Sequence, residues 1–463
     1  MRDVMGGRDG GVFLGIVLVL IVCLAAFSTA ARAQNPGNNA VFPMSGLCCQ
    51  GSSAFIDASV FVSGTNPNIC AVLHNILGGV GYPAAGAIID ARGISGTAAL
   101  TCTASPWAGI SNPPPSTILL PATGGASPTP IVISSTWVLP ANTHLIGEGD
   151  GIASSGSTPG TTIQAATSFA GSMIQFGSSS VCPSGVCTGI SVENLTLDGQ
   201  GQSINGITNG FSRDFSSVDH VSLYRIRGTG LLIEGSATDS GPYSNITFDT
   251  GGSAGVASTV CADILNAGGT RGIQQLSCKS ETNDASAAVL LDSSNNSIED
   301  VTIAGFYNGI LVGSQAPAQS NVLVNITDDT KHTCNPVCPP INTIHIASYT
   351  TNGEPNVTDL SIMGASNDGM GTTTIADDLT GTYLFDPTVG IYALGESANG
   401  GYSRYTTSPN AATWAVGASY PQGTCARGSL YSCIGGGTGT TCSSNALWAC
   451  ALSGSTVGWL PVD

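Results

Sequence analysis

Charged residues are scarce in this chain. Asp, Glu, Lys and Arg together make up 9% of the 463 residues, and lysine occurs only at Lys279 and Lys331. Long amphipathic helices need a charged face toward water, so this composition disfavours a mainly helical protein. The 12 basic against 29 acidic residues give a net charge of −17. Little material remains for the basic patch that a nucleic-acid backbone or an anionic membrane surface requires, and we expect no nucleic-acid partner.

Glycine and apolar residues are abundant instead. The chain has 62 glycines, and 42% of its residues are hydrophobic. That hydrophobic content argues against disorder. The composition favours repetitive β structure with Ser, Thr and Asn on its faces and Gly in its turns.

The N-terminus has the features of an export signal. An apolar run extends from Val12 to Phe27, and Ala31-Arg32-Ala33 then provides a cleavage site of the small-x-small type. The alternative is a membrane anchor, but the run is short for a spanning helix, which needs about 20 residues. We predict that residues 1–33 are a signal peptide. The mature protein is then expected in the periplasm, at the cell surface or outside the cell, and not embedded in a membrane.

Cysteine usage agrees with export. The chain has 15 cysteines, and removal of Cys23 with the signal peptide leaves an even number. Several are close in sequence, which indicates small disulfide loops in an oxidising compartment. A zinc site is the alternative, but no CxxC pair occurs and no histidine lies at ligand spacing beside the cysteines, so we predict no metal site. The predicted bonds join Cys182 with Cys187, Cys334 with Cys338, and Cys425, Cys433, Cys442 and Cys450 among themselves. Cys48 and Cys49 are adjacent and should bond elsewhere, with Cys70 and Cys102 as candidate partners.

The most informative feature is an internal repeat. Its pattern is apolar, polar, Asn- or Asp-like, apolar, Thr or Ser, apolar, and the second half alternates with a period of two. Such alternation is typical of a strand with one buried face. Successive copies start 26, 25, 30 and 25 residues apart. The strong copies are Val192–Leu197, Val218–Leu223, Tyr243–Phe248, Ile273–Cys278 and Ile298–Ile303, and weaker copies are Ile341–Ile346 and Val357–Ile362.

The repeat predicts a β-solenoid. A second short strand follows many copies through a glycine, as at Asn205-Gly206-Ile207 and Thr229-Gly230-Leu231. One coil cannot bury its apolar side alone, so coils stack and each copy pairs in parallel with the next. The residues predicted to be buried in stacked columns are Leu195, Leu197, Val221, Leu223, Ile246, Phe248, Leu276, Val301 and Ile303.

One column of the repeat contains asparagines. Asn194 and Asn245 begin Asn-x-Thr triplets, which are glycosylation acceptors in some secretory pathways. Because both fall in the same column, we interpret them as amides that hydrogen-bond between coils.

The two ends of the chain differ from the repeat. Residues 34–85, with a short helix around Ala71 to Leu77, are predicted to cap the N-terminal end of the solenoid. Residues 86–395 are predicted to form the solenoid itself. Residues 396–463 are rich in Gly, Ser and Cys and predict a small disulfide-linked β module. Its Trp414, Trp448 and Trp459 either form the core of that module or stack on sugar rings.

Residues 86–149 carry a resemblance to a known fold family. Ile118–Pro121, Ile131–Pro140 and Leu145–Gly149 follow the order strand-Pro, strand, strand-Pro, strand-Gly-x-Gly, and Gly86–Gly93 has the form of an entry strand. With the later repeat, this succession resembles the pectate-lyase-like superfamily. The resemblance implies an all-β, right-handed parallel β-helix that acts on polysaccharide. It implies no single activity, because the fold hosts lyases, glycosidases, epimerases and non-catalytic adhesins. Calcium is the candidate cofactor if the activity is that of a lyase.

Catalytic candidates come from the predicted outward face, because no Asn-Thr-Asp, Gly-Asp-Asp or Gly-His-Gly motif of the polygalacturonase type is present. Asp198 and Asp249 should face outward two coils apart, about 9.6 Å at the usual strand spacing. That distance is near the upper end of the carboxylate gap of inverting glycosidases, roughly 6.5–9.5 Å. Lys279 or Arg225 could instead act as a lyase base or pair with a uronate carboxylate.

Three further residues on this face are candidates for substrate binding. His220 could act as an acid or base near neutral pH, and Tyr224 and Arg227 lie on the same predicted coil. The alternative is that these residues are only the ordinary polar surface of a solenoid strand.

Two functional classes are compatible with these features. One is an exported lyase or glycoside hydrolase, and the other is a non-catalytic adhesin or carbohydrate-binding solenoid. Converging charged groups in a groove would favour the enzyme, whereas a flat Ser/Thr face with aromatic residues would favour the binding protein.

Overall fold

The structure is a computed structural model, and it describes most of the chain from residue 54 onward. The described residues are 54–65, 67–79, 86–124, 129–151, 160–182, 185–235, 237–251, 258–280, 285–329, 341–347, 350–351, 354–355, 357–367, 372–377, 385–386, 391–394, 403–405, 414–417, 430–433, 446–453 and 456–462. The predicted signal peptide therefore lies outside the described residues.

Short strands dominate the described residues. Those of the first half are β1 (Ala54–Asp57), β2 (Ala87–Asp90), β3 (Thr101–Cys102), β4 (Ser116–Leu119), β5 (Ile131–Ile133), β6 (Trp137–Leu139), β7 (Thr143–Ile146), β8 (Thr161–Ala165), β9 (Ser172–Phe176), β10 (Ser191–Gln202), β11 (Asn205–Asn209), β12 (Ser217–Ile226), β13 (Thr229–Glu234), β14 (Tyr243–Asp249) and β15 (Val260–Leu265).

Those of the second half are β16 (Ile273–Lys279), β17 (Ala285–Asp292), β18 (Ser297–Ala304), β19 (Phe306–Val312), β20 (Ala318–Gln319), β21 (Val322–Asp328), β22 (Ile341–Ile346), β23 (Thr350–Thr351), β24 (Glu354–Pro355), β25 (Val357–Thr358), β26 (Ser361–Asn367), β27 (Thr372–Asp377), β28 (Phe385–Asp386), β29 (Ile391–Leu394), β30 (Ser403–Tyr405), β31 (Trp414–Gly417), β32 (Leu430–Cys433), β33 (Ala446–Ser453) and β34 (Thr456–Val462).

Two long sheets contain most of these strands. The first has 16 strands and runs β1-β2-β4-β7-β10-β12-β14-β16-β18-β21-β26-β29-β28, with β3, β5 and β8 attached beside it. The second has nine strands in the order β6-β9-β11-β13-β15-β17-β19-β22-β27. Every pairing in the two sheets is parallel except that of β28 with β29. Parallel neighbours in sequence order, alternating between two sheets, make the chain a right-handed parallel β-helix.

The predicted columns are confirmed. β10 pairs with β12, β12 with β14, β14 with β16 and β16 with β18, so each strong copy of the repeat pairs with the next. The inward residues lie between the two sheets in one continuous core. All nine residues predicted for this core are 0–1% exposed: Leu195, Leu197, Val221, Leu223, Ile246, Phe248, Leu276, Val301 and Ile303.

The two weaker copies of the repeat were assigned wrongly. Ile341–Ile346 forms β22 of the second sheet, and Val357–Ile362 straddles the corner between β25 and β26. The strands that continue the first sheet are β21 and β26. Strands of both sheets alternate inward apolar residues, so the pattern alone does not distinguish one sheet from the other.

In the first sheet, each coil from β10 to β26 has a left-handed residue at the third position of the repeat. The residue lies between the polar second position of the repeat and the next buried position. It lets both flanking apolar residues point inward although they are three positions apart. The column, in register from coil to coil, is Asn194, His220, Asn245, Gln275, Asp300, Asn325 and Gly364, with φ between 50° and 74°.

Amides of this column link neighbouring coils, as predicted for the asparagine column. The Asn245 side chain donates to Asp219 Oδ1 at 2.7 Å. Asn325 donates to Asp300 Oδ1 at the same distance. Asn and Asp tolerate the left-handed region because their short polar side chains can hydrogen-bond locally. The preference for Asn or Asp at the third position of the repeat is therefore explained by the left-handed backbone there.

A short helix lies near the start of the solenoid. Helix α1 (Ile69–Leu77), predicted around Ala71 to Leu77, begins at Asn68, whose side chain accepts a hydrogen bond from the Ala71 N–H at 3.0 Å. A single-turn 3₁₀ helix at Ala58–Phe61 precedes it. β1 lies before both and pairs with β2, so the first sheet already begins within the segment assigned to the cap.

Three disulfides are present among the described residues. Cys182–Cys187 is confirmed, with Cα atoms 5.5 Å apart. The partner assignment of Cys70 and Cys102 is wrong, because these two bond to each other where α1 packs beside β3. Cys261–Cys278 was not predicted and joins β15 of the second sheet to β16 of the first through the core. Side chains outside the described residues include those of Cys48, Cys49, Cys334, Cys338, Cys425, Cys433, Cys442 and Cys450.

The described C-terminal strands form a sheet of their own. Its order is β30-β31-β32-β33-β34. Neighbours are antiparallel except β31 with β32. The role of this segment as a separate disulfide-linked module remains a prediction.

The left-handed column can be tested at Gln275, which is exposed and has a φ of 55°. Gln275→Val should lower the free energy of unfolding by about 1–2 kcal/mol, because a β-branched residue is strained in this region. Gln275→Gly should not lower it, since glycine adopts positive φ without steric cost. Chemical denaturation measures both. Gln274→Val, at the exposed neighbouring position, is the control and should be near neutral; equal losses at 274 and 275 would contradict the strain.

Candidate functional site

Register brings four of the predicted site residues into one outward column of the first sheet. Asp198 on β10 pairs with Tyr224 on β12, Tyr224 with Asp249 on β14, and Asp249 with Lys279 on β16. Arg225 follows Tyr224 directly and belongs to the same cluster. Consecutive coils are about 4.8 Å apart, so the predicted proximity of these residues follows from in-register stacking.

Asp198 is buried by its partners, although it faces away from the core. Arg225 donates to both of its carboxylate oxygens, through Nε at 2.9 Å and through a terminal nitrogen. Gln164 donates to Oδ2 at 3.0 Å, and Gln200 donates through its main chain and its side chain. This two-point pairing raises the pKa of Arg225. The expectation of an open Asp198 is corrected, because local sequence does not show that Arg225 folds back over it.

A second, looser ion pair lies two coils on. Lys279 Nζ is 3.5 Å from Asp249 Oδ2, and the Lys279 side chain is 50% exposed. Asp249 also accepts a hydrogen bond from the Gly251 N–H at 2.7 Å. The Asp249 side chain is 13% exposed, but the open lysine end and the long N–O distance make the pair weak, about 1 kcal/mol at most. Lys279 can therefore exchange its partner at small cost.

Tyr224 lies between the two ion pairs. The Arg225 guanidinium stacks 5.1 Å from the centroid of its ring. Gly251, with a φ of 63°, packs so closely against the ring and the Arg225 side chain that a Cβ there would clash with both. The half-buried ring is thus held in one orientation. Arg227 lies outside this column, past the end of β12, where its main-chain N–H donates to the Gln202 carbonyl at 3.0 Å.

His220 stands apart from that cluster, in the left-handed column. Its Nδ1 is 2.9 Å from Asp219 Oδ2, and its side chain is 52% exposed. Hydrogen bonding to Asp219 raises the pKa of His220. Burial acts to raise the pKa of Asp219, but hydrogen bonds from Asn245, Ser244 and His220 together lower it. The result is an ionised carboxylate that orients an exposed imidazole, an arrangement suited to acid–base chemistry.

A loop separates His220 from Tyr224. Ser222 Oγ donates to Asp150 at 3.1 Å, and the Gly151 N–H donates to Thr196 Oγ1 at 3.0 Å. Thr196 and Ser222 are consequently buried although their side chains face outward. The predicted outward face is therefore continuous only beyond this loop, from β14 onward.

The outward face also carries a long column of hydroxyl groups. They lie in register on successive coils. Each occupies the Thr or Ser position of the repeat, the fifth position. Apart from Thr196 and Ser222, which the loop covers, these residues are half-buried or exposed. The column comprises Thr162, Thr196, Ser222, Thr247, Ser277, Thr302, Thr327 and Ser366.

Asp263 is a perturbed acid that was not among the predicted site residues. It faces outward on β15 of the second sheet, between Leu232 and Leu290 of the neighbouring coils. Its Oδ1 is buried and has no hydrogen-bond partner within the described part of the chain. Burial raises the pKa of Asp263 to about 6, and the charges of Asp292 and Glu234 add to the rise. The sequence feature that could have indicated this site is an acid at the centre of a strand. The residues paired with it on the neighbouring coils are leucines.

Two further findings concern membrane-spanning helices and metal-binding groups. No helix within the described residues is long and apolar enough to cross a membrane. In the same part of the chain, no group of three or more His, Cys, Asp or Glu side chains is placed to hold a metal ion.

Comparison with known proteins identifies no family. No protein-family model matches the sequence, and no curated protein matches it. Among solved structures, the mannuronan C-5 epimerase AlgE4 A-module of Azotobacter vinelandii is 12% identical, with a TM-score of 0.37 over 74% of this chain and 95% of that one. The tailspike protein of Acinetobacter phage vB_ApiP_P1 is 10% identical, with a TM-score of 0.33 over 76% of this chain and 73% of that one. We draw nothing about activity from likenesses this distant; the β-helix assignment rests on strand order and register.

The raised pKa of Asp263 predicts a pH-dependent stability. Between about pH 3.8 and 6 the folded protein retains a proton that the unfolded chain releases, so the free energy of unfolding falls as the pH rises through this window. Asp263→Asn should therefore stabilise the protein at pH 8 by on the order of 1–3 kcal/mol and have little effect at pH 4. Denaturation at both pH values measures the difference. The exposed Asp329→Asn serves as control, and a D263N effect independent of pH would refute the assignment.

Proposed function

We propose that this is an exported protein that binds polysaccharide along the outer face of its first sheet. The observation that carries the proposal is the hydroxyl column, open from Thr247 onward and bordered by Tyr224. Hydroxyl groups repeated at about 4.8 Å offer many weak, equivalent hydrogen bonds to a long polymer. Tyr224 adds an aromatic ring held in one orientation. The three disulfides among the described residues support an oxidising, extracytoplasmic location.

The charge of this face favours a neutral or weakly charged polymer. The outward cluster contains two acids and two bases, and they form two closed pairs, Asp198 with Arg225 and Asp249 with Lys279. A polyuronate would have to compete with Asp198 for Arg225. It would also approach a protein of net charge −17, which slows association of an anion at low ionic strength. Of the two bases in the cluster, Lys279 has the greater exposure and could pair with an occasional acidic sugar.

A second candidate function is catalysis, and the Asp219–His220 pair favours it. With Nδ1 oriented by the carboxylate, Nε2 of the half-exposed imidazole is left for proton transfer. The predicted roles of Asp198 and Asp249 as a glycosidase pair, and of Lys279 or Arg225 as a lyase base, remain proposals. They require opening of the ion pairs, and the Asp198–Arg225 pair is the costlier of the two to open because Asp198 is buried.

Binding can be tested with purified protein on immobilised neutral polysaccharides and on polyuronates, each with and without calcium. We expect retention on at least one neutral polymer and weak, salt-sensitive retention on polyuronates. Tyr224→Ala should weaken binding about five- to tenfold, the loss typical of an aromatic contact residue. Tyr307→Ala, a half-buried tyrosine of the second sheet, is the matched control. Preference for polyuronates would overturn the neutral assignment, and retention on no polymer would overturn the proposal.

Catalysis is tested on the polymers that bind, by reading both reducing ends and unsaturated products. His220→Gln should abolish product formation without changing retention, because the amide keeps polarity but cannot transfer a proton. Asp219→Asn should lower the rate and shift its pH profile downward, since the pKa of His220 loses the support of the carboxylate. His144→Gln, another histidine of the first sheet, controls for nonspecific effects. Full turnover in H220Q would rule out His220 as the catalytic group, and no turnover by the parent protein would leave the binding function alone.

A further inference from the structure

A cavity of about 500 Å³ lies near the N-terminal end of the solenoid, away from the face described above. Its floor is the outward side of β6, including Thr136 just before the strand and Val138 within it. One wall is the segment 103–111 that follows β3. The opposite wall is formed by Ser180 and Val181, which follow β9. The volume falls within the range of small-molecule sites, roughly 300–1,000 Å³.

Both walls are anchored by disulfides. Cys102, bonded to Cys70 of α1, directly precedes the first wall. Cys182, bonded to Cys187, directly follows the second. The first wall is held again by His74, whose Nδ1 lies 3.1 Å from the Pro106 carbonyl oxygen. A cavity with covalently anchored walls is preorganised, so a ligand would lose little affinity to ordering of the protein.

The lining is uncharged and mixes hydroxyl groups with apolar surface. Among the described residues that line the cavity none carries a charge, in contrast to the acidic protein as a whole. Hydroxyls come from all sides, including Thr103, Ser111 and Ser135, and apolar contacts come from Ile110 and Val138. An anion or a cation would find no counter-charge here.

Trp107 completes the cavity as part of its fixed boundary. The indole is 2% exposed and packs edge-on against Trp137, with ring centroids 6.1 Å apart and planes at 73°. It therefore supports the wall and is not free to move over a ligand. Recognition of a ligand in this cavity would therefore depend on the shape of the cavity and on its hydroxyl groups.

We propose that this cavity binds a neutral saccharide unit of one or two rings. A sugar ring matches the lining, because it presents apolar C–H surface on its faces and hydroxyl groups around its edge, without a formal charge. The inference stands apart from the proposed polymer-binding face, since none of the residues that line the cavity belongs to that face. A polymer-binding result of either sign leaves it intact.

The test is calorimetric titration of the purified full chain with cellobiose, xylobiose, maltose and lactose, and with digalacturonate as the charged comparison. Ala108→Trp places a bulky side chain on an exposed position of the first wall. Val138→Trp fills the cavity from its floor. Ala122→Trp makes the same change at an exposed alanine that does not line the cavity. Thermal unfolding checks that each variant is folded, and having two filling variants guards against failure of one.

The expected result is binding of at least one neutral disaccharide, weakened tenfold or more by A108W or V138W and unchanged by A122W. Tighter binding of digalacturonate would overturn the neutral assignment. Neutral binding that survives both filling variants would place the sugar elsewhere and overturn the site. Binding of none of the four neutral disaccharides would overturn the proposal as a whole.

Discussion

From β10 to β26, the geometry of the first sheet depends on a left-handed residue at the third position of each repeat. Without it, strict alternation would point either Val192 or Leu195 away from the core. With Asn194 at positive φ, both are buried, and the same step recurs on each coil through Asn325. The step sets which residues stack inside and which columns face outward. His220 occupies such a step, so the backbone that shapes the core also presents the exposed imidazole beside Asp219.

The sequence was sufficient for the core because the features that define it are local and repeated. Leu195, Val221 and Ile246 could be placed in one column from the pattern alone, and the structure stacks them in register. The burial of Asp198 could not be foreseen, because its cover comes from Arg225 on the next coil and Gln164 on the previous one. The burial of Asp263 could not be predicted for a similar reason, because its apolar neighbours come from other coils of the second sheet.

The charged groups of the cluster around Tyr224 pair with one another. Asp198 and Asp249 were predicted as candidate catalytic acids, yet each has a basic partner within the same column or beside it. The feature that distinguishes the face is its hydroxyl column. Its Ser and Thr hydroxyl groups are chemically unreactive, and they repeat on successive coils. The uncharged cavity beside β6 has the same character on a smaller scale. Under the two proposals, both features serve recognition of neutral hydroxylated molecules by shape and hydrogen bonding.

The Cys261–Cys278 bond changes how this solenoid would unfold under a pulling force. Stacked coils contact only their neighbours, so a pulled β-helix can peel from its ends one coil at a time. The bond closes most of one coil into a covalent ring, with a sequence separation of 17 between the cysteines. Tension applied to the chain passes through the sulfur atoms and leaves that ring unextended, a loss of roughly 60 Å of contour length. Peeling of this coil would therefore release less chain than peeling of a coil without such a bond.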